Sequence, residues 1–427
     1  MNDSRNDSAW EQLFKKHDIL KVVSDSGYAT ISATSINEFR EARLMTKIDH
    51  KSQLPKPFAA NKLSILPTSR GNYIIGAFET FCSFNNDDVA VTKFEFPAFL
   101  ESLDYKNISS EATAINCAFV SKILHDFTLE ENLWPTVSGR MGSSVFDFEI
   151  NSASGRFRID VGNSQVEIDG GYEGDESLNL IEAKNYISDD FLVRQLYYPY
   201  KLWTGKINKR VRPIFLTYSN GVFHLREYEF SDINHYNSLV LLKHKKYAIQ
   251  DDTFNIETIE RIIETTPENP EPHVPFPQAD SFERVINLCE LLNQKYSVLK
   301  EDITQNYDFE WRQTDYYSNA GKYLGLIDTD HDDNKQPICF LTEKGKRLFS
   351  LNLSDRQKAL AKIIISFAAF KKSLKLYLTK GEMPSKHEIV EIMKQSKLYN
   401  IESDATYHRR ASTICGWINW IVGQIEE

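Results

Sequence analysis

Three residues near the middle of the chain have types and spacing that suit one reaction. In "VEIDGGYEGDESLNLIEAKNY", residues 166–186, Glu182 and Lys184 stand two apart and Asp169 precedes them. Residues i and i+2 of a strand project from one face. In "LNLIEAK" the carboxylate and the ammonium therefore emerge together while Ala183 turns away. Leu178, Leu180 and Ile181 read as buried strand, which puts the charged pair at a sheet's end. Asp169 closes the preceding strand-like run, 165–169, and "GGYEGDES" reads as the hairpin connection. An antiparallel return then sets Asp169 beside Glu182. Phosphodiester hydrolysis calls for such a set. Mg²⁺ takes hard oxygen ligands, one or two of them carboxylates and the rest water. The ion polarises phosphate and lowers the pKa of bound water. A neighbouring ammonium holds the attacking water or balances developing negative charge.

The competing assignments are local. Glu167 shares a strand face with Asp169, and Asp160 lies on the run before it, so either is open as the first carboxylate. Glu173, Asp175 and Glu176 read as solvated turn acids. The bland reading of the trio is a solvated hairpin with a surface ion pair, which contributes little. What separates the readings is the order of elements around the three residues.

That order is helix, strands, helix, strands. Residues 109–127 are helical, with Ser109 or Ser110 as cap and Glu111 in the first turn. A Gly-containing loop, "VSGRMGSS", leads to strands at 145–150, 156–161 and 165–169. After "LNLIEAK" comes a helix, "DDFLVRQLYYPYKLWTG", with Asp189 or Asp190 near its start. Two strands, "RPIFLTYS" and "VFHLREYEF", join at Asn220-Gly221, a strong hairpin signal. This fits an α/β unit with a mixed sheet. Upstream, 37–48 reads as a short helix and 64–78 as two strands joined at Arg70-Gly71-Asn72.

With this order in place, Asp169 and Glu182-Ala183-Lys184 resemble the active-site motif of the PD-(D/E)xK, or restriction-endonuclease-like, nucleases. Ile168 stands where the usual proline would. Gln195 and Tyr198 in the following helix resemble the Q-x-x-Y signature of some members, and Glu111 matches a further carboxylate that several carry upstream. The match covers roughly residues 105–250. The resemblance implies a Mg²⁺-dependent, sequence-specific endonuclease of double-stranded DNA, a type II restriction enzyme. It implies Asp169, Glu182 and the Ala183 carbonyl as metal ligands and Lys184 as the water-positioning residue. It further implies a 5′-phosphate product, a homodimer and a cognate methyltransferase encoded nearby. Two alternatives stay open: a repair or mobile-element nuclease with the same core, and a non-catalytic winged-helix regulator.

The segment 264–280 holds five prolines in seventeen residues and reads as a semi-rigid linker. Beyond it, helices at 282–293, from 298 and at 311–327 precede an acidic turn, "DTDHDDNKQ", a strand "PICFLT" and "EKGKRLFSL". Three helices and a hairpin are the layout of a winged helix. Helices near 354–378, 384–397 and 405–425 close the chain. The expected divisions are an N-terminal α+β region, 1–104; the nuclease core, 105–255; the linker, 256–280; the winged helix, 281–352; and a helical extension, 353–427.

Composition bounds the partners. No apolar run reaches eighteen residues and the start, "MNDSRNDSAWEQLF", lacks a secretory core, so a cytoplasmic protein without membrane contact is expected. Five scattered cysteines, none in a C-x-x-C pair, argue for reduced thiols and against structural zinc. No Walker-type phosphate loop is present. Net charge is −10, yet residues 191–250 carry ten Lys or Arg against three acids. Lys206 and Arg210 in that run, Arg140 in the Gly loop, and Arg312, Gln313, Tyr316 and Lys322 on the third helix of the winged element are the candidate DNA contacts. Thr314, Tyr317 and Asn319 line the same helix in this reading. Arg409 and Arg410 are either phosphate contacts or a surface patch.

Overall fold

The computed structural model describes residues 4–84, 89–249, 255–306, 311–401 and 403–425. The chain forms two compact units: Met1–Phe94 with Ser110–Tyr218 and Val222–Ala248, and Glu95–Ser109 with Ser219–Gly221 and Ile249–Glu427. No described helix is long and apolar enough to cross a membrane.

The first unit opens on α1 (Arg5–Lys16) and α2 (Ile19–Ser26). Ser4 and Asp7 form a reciprocal capping box that satisfies two orphan amides of α1. Trp10, fully buried, packs edge-on to Phe58 and donates its indole N–H to the Met45 carbonyl at 3.1 Å. Short helices α3 (Ala33–Asn37), α4 (Ala42–Met45) and α5 (Lys56–Asn61) surround a small antiparallel sheet of β1 (Tyr28–Ser32), β3 (Asn72–Gly76) and β2 (Ser64–Pro67). The single helix expected over 37–48 is absent. Asn37 ends α3, and its side-chain oxygen accepts the Ala42 N–H at 2.7 Å, capping α4 instead.

A seven-stranded mixed sheet forms the centre of this unit. Its strands are β5 (Val91–Phe94), β14 (Leu239–Ile249), β13 (Val222–Phe230), β12 (Arg210–Ser219), β10 (Ser177–Lys184), β9 (Gln165–Gly174) and β6 (Leu133–Gly142), in that spatial order. Every residue of β10 is buried, as befits a central strand covered on both sides. It pairs antiparallel with β9 and parallel with β12. The parallel pair needs a crossover, which α8 (Arg194–Thr204) supplies. Both α8 and α6 (Glu111–Val120) pack on β9 and β10. A second hairpin, β7 (Val145–Ser152) with β8 (Gly155–Gly162), stands apart from the sheet.

Several local expectations change. Helix 109–127 breaks at Lys122, in the left-handed region at φ 67°, into α6 and α7 (Ile123–Thr128), with Ser110 as cap. "VSGRMGSS" is not a loop: 137–142 belong to β6, paired with β9 through two register shifts. Nor is "GGYEG" a connection, since β9 runs to Gly174 and the turn is only Asp175-Glu176. The Gly171 backbone lies against β6, and a Cβ there would meet the Val137 carbonyl oxygen at 2.9 Å. Residues 190–192 are not helix but β11 (Asp190–Leu192), paired with β4 (Phe81–Ser83); α8 starts at Arg194 with no side-chain cap. The Asn220-Gly221 turn has positive φ at both residues, 51° and 77°, as a type I′ hairpin needs.

The second unit begins with α9 (Ile256–Thr265) and α10 (Phe282–Gln294). β15 (Val298–Leu299), α11 (Lys300–Asn306), α12 (Trp311–Tyr323), β16 (Ile327–His331) and β17 (Pro337–Leu341) follow, with the three strands in one antiparallel sheet, order β15-β17-β16. α13 (Glu343–Phe349) leads to α14 (Leu353–Ile365), α15 (Ala368–Lys380), α16 (Lys386–Gln395) and α17 (Asp404–Val422). The helix expected over 354–378 is thus two, divided at Ser366 and Phe367.

The proline-rich segment does not behave as a spacer. Phe276 is fully buried and stacks on Phe370. Glu271 accepts the Tyr323 hydroxyl at 2.9 Å, and the Asn269 N–H donates to the Ser366 carbonyl at 2.7 Å. Proline fixes φ and lowers the entropy lost when such an irregular strap is laid down. Phe276→Ala should therefore destabilise this unit by roughly 3–5 kcal/mol, the range for emptying a phenylalanine site. A urea titration checks it; a cost under about 0.5 kcal/mol, typical of an exposed linker position, would restore the spacer reading.

Candidate active site

β9 and β10 set the geometry. Gly170 pairs with Ile181 in their register, and one further step places Asp169 opposite Glu182. There the ladder parts: the Asp169 carboxylate Oδ2 accepts the Ala183 N–H at 2.8 Å. This bond fixes the backbone between the two charged residues. Glu182 and Lys184 project from one face, as strand periodicity requires, and Lys184 Nζ donates to Glu182 Oε1 at 2.6 Å. Gln195, on the first turn of α8, donates through Nε2 to the same Oε1 at 2.6 Å. Glu182 is 8% and Lys184 7% exposed, so these charges have little access to water.

A residue from the N-terminal region joins them. Asp49 Oδ1 lies 3.4 Å from Gln195 Nε2. Carboxylates only accept, so the two acids fix the amide's orientation and leave Gln195 Oε1 directed elsewhere. That oxygen is buried and has no hydrogen-bond partner among the described residues.

Burial pushes the Glu182 carboxyl up to about 8, with Lys184 opposing and Asp169 and Asp49 adding to the rise. Burial also raises Asp169 and Glu111. For Asp49 burial is outweighed by Lys184, His50, Lys47 and Arg194, and its carboxyl lies below the ordinary value. Burial opposes the Lys184 charge too, but Glu182, Asp49, Tyr186 and Glu111 together hold it well above the usual lysine range. Four carboxylates thus surround one buried ammonium, and the site favours a proton or a cation.

Among the described residues no three or more His, Cys, Asp or Glu are gathered as a ready metal cage. Mg²⁺ does not require one: it is commonly held by one or two carboxylates with water filling the remaining positions. Asp169, Glu182 and the Ala183 carbonyl supply hard oxygens of that kind. The donor set fits this ion.

Glu111, in the first turn of α6, lies within electrostatic range of Asp169, Lys184 and Asp49. Tyr198 points away, donating its hydroxyl to the Pro67 carbonyl at 2.9 Å. The two competitors of Asp169 fall outside the cluster. Glu167 pairs with Arg140 at 3.1 Å, and the Asp160 side chain is 86% exposed. Glu173 is engaged with Lys209 instead.

Much of the basic run is spoken for internally. Arg212 makes a bidentate pair with Glu227, which Arg210 and Lys243 also approach. Lys245 pairs with Asp126. Lys206, in the same run, is exposed over the Trp203 ring. Arg140 lies on β6 rather than in a loop. In the second unit, Thr314 and Tyr317 face inward, Tyr316 and Asn319 are exposed, Gln313 is half-buried and Lys322 pairs with Asp328. The Arg312 side chain lies outside the described residues.

Sequence reasoning missed Asp49 and His50. Each became visible only through contacts spanning well over a hundred residues.

Three family models match the chain, each described as a domain of unknown function: DUF6996 over residues 7–75, DUF6997 over 76–248 and DUF7226 over 284–426. The candidate site draws on two of them, since Asp49 falls in the first stretch and the other site residues in the second. No curated protein and no solved structure matches.

Proposed function

We propose that the protein is a Mg²⁺-dependent, sequence-specific endonuclease of double-stranded DNA, a restriction enzyme of type II with a PD-(D/E)xK core in its first unit. One observation carries the reading: Asp169 and Glu182 stand on adjacent strands where the ladder parts, and Lys184 and Gln195 both donate to one Glu182 oxygen. A Mg²⁺ ion held by Asp169, Glu182 and the Ala183 carbonyl would polarise the scissile phosphate and make bound water acidic.

The chain's own residues do the rest. Asp169 pins the Ala183 amide, so the main-chain carbonyl and the flanking side chains cannot shift independently. Gln195 keeps Glu182 in one rotamer. Lys184 places a positive charge where attack in line on phosphorus develops negative charge. The P–O3′ bond breaks, giving a 5′-phosphate and a 3′-hydroxyl. In the second unit, the order α10, β15, α11, α12, β16, β17 is that of a winged helix, with the exposed Tyr316 and Asn319 on its third helix available to base edges. Asp328, Asp330 and Asp333 on its hairpin are exposed and would repel phosphate, which puts the reading on the helix rather than the wing. A homodimer cutting both strands, and a cognate methyltransferase protecting the host, complete the proposal.

The test is digestion of unmethylated phage DNA by the purified full chain. Discrete fragments in Mg²⁺, binding without cleavage in Ca²⁺, and loss of cleavage in Asp169→Asn are expected. Fragmentation that persists in Asp169→Asn, or no fragments at all, would overturn it.

A further inference from the structure

We propose that Asp49, carried by the N-terminal region, is a positioning residue of this site that acts through the Gln195 amide; the inference rests on the hydrolytic reading above. The segment between α4 and α5 has no regular structure beyond a single 3₁₀ turn at Lys51–Gln53, yet it is held from several sides. Ile48, 5% exposed, anchors it in the N-terminal core. The Gln53 side-chain oxygen accepts the N–H groups of Asp49 at 2.7 Å and His50 at 3.2 Å. The Asp49 carbonyl accepts the Leu192 N–H at 2.9 Å, and the Asp190 carboxylate accepts the Lys51 N–H at 3.0 Å. The segment is thereby stitched to β11, immediately ahead of the helix that carries Gln195.

His50 adds the second stitch. Its ring is fully buried, with Nδ1 at 2.6 Å from the Asp190 carbonyl. A carbonyl only accepts, so in the neutral ring Nδ1 carries the proton. Nε2 is then the acceptor, and the Tyr186 hydroxyl donates to it at 2.7 Å. Tyr186 stands two residues beyond Lys184, in the bend just past the end of β10. The N-terminal arm therefore grips both ends of the stretch between Lys184 and Gln195.

The consequence falls on one amide. Gln195 Nε2 has two protons and two carboxylates to receive them: Glu182 at 2.6 Å and Asp49 at 3.4 Å. Glu182 alone would leave the amide free to swing about a single bond. A second acceptor fixes its plane, and with it the Glu182 carboxylate. Removing Asp49 should lower the rate of the chemical step without weakening DNA binding.

Single-turnover cleavage and DNA binding in Ca²⁺, measured on the full chain, test this. Asp49→Ala is expected to cut about 30-fold more slowly, with binding within about threefold of wild type. Asp49→Asn keeps an acceptor oxygen and should recover to within about fivefold of wild type. In a Gln195→Ala background, Asp49→Ala should cost less than about threefold, because the amide it acts through is gone. Wild-type cleavage by Asp49→Ala, with Lys184→Ala inactive, overturns the positioning role and leaves the nuclease reading standing. An equal loss in both backgrounds, or loss of the cooperative thermal transition in both Asp49 variants, marks a structural role and also overturns it. If Lys184→Ala cuts like wild type, or the wild-type chain cuts nothing, the nuclease reading falls and the Asp49 role falls with it.

Discussion

Lys184→Ala is expected to slow single-turnover DNA cleavage by roughly 10³-fold or more while leaving binding in Ca²⁺ nearly unchanged. The ammonium is 7% exposed and held to Glu182 at 2.6 Å, so its charge acts on the site with little screening by water. Truncation removes the one buried positive charge from four carboxylates. Those acids then take up protons or bind cations more readily, which keeps the fold intact while the charge needed in the transition state is missing. Lys184→Arg is not expected to rescue: the planar guanidinium is larger than the ammonium it would replace in a closed space. Quenched-flow cleavage at saturating enzyme, beside a filter-binding titration, separates the two quantities. A Lys184→Ala protein that cuts at the wild-type rate would show the site assignment to be wrong.

Glu182→Gln should abolish cleavage and, without divalent metal, make the protein more stable above pH 8. The folded-state value of Glu182, about 8, lies above its ordinary 4.5, so the folded form binds that proton more tightly than the unfolded chain does. The stability this provides is fully present below pH 4.5 and lost as pH rises towards 8. Across that window the loss is on the order of 3–5 kcal/mol for a group so buried. Asp169 and Glu111, also raised, act with the same sign, and Asp49, lowered, acts against them. Glutamine keeps the shape and cannot ionise, while Asp49 and Glu111 remain to balance Lys184. In EDTA the wild-type midpoint should fall from pH 6 to pH 8.5, and the variant's should fall much less. Mg²⁺ at about a hundred times its dissociation constant should return roughly 2.7 kcal/mol to the wild type only. Parallel pH curves for the two proteins would remove the electrostatic account of the site.

The trio at the centre of the site was legible because its signal is local. Glu182 and Lys184 share a face by strand periodicity, and a short hairpin brings Asp169 opposite. Gln195 was legible from its place on the next helix. Asp49 was not, because nothing within its own stretch marks it; the amide its carboxylate receives, Gln195, lies 146 residues away. Composition misled in two places. Glycines made β6 look like a loop, whereas its long edge strand accommodates them at register shifts. Prolines made 264–280 look like a spacer, whereas buried Phe276 and the bonds of Asn269 and Glu271 tie it down. In each case a tertiary partner decided what a one-dimensional pattern left open.

The parallel pairing of β10 with β12 also sets when the site can exist. β10 carries the acid and the lysine, but the strand beside it is not made until the ribosome has passed residue 219. Until then Asp49, Glu111, Asp169 and Lys184 emerge one after another on a chain whose central sheet is still open at one edge. A nascent or prematurely ended polypeptide carries the whole motif and no assembled centre. Under the nuclease activity proposed above, the order of assembly is itself a safeguard.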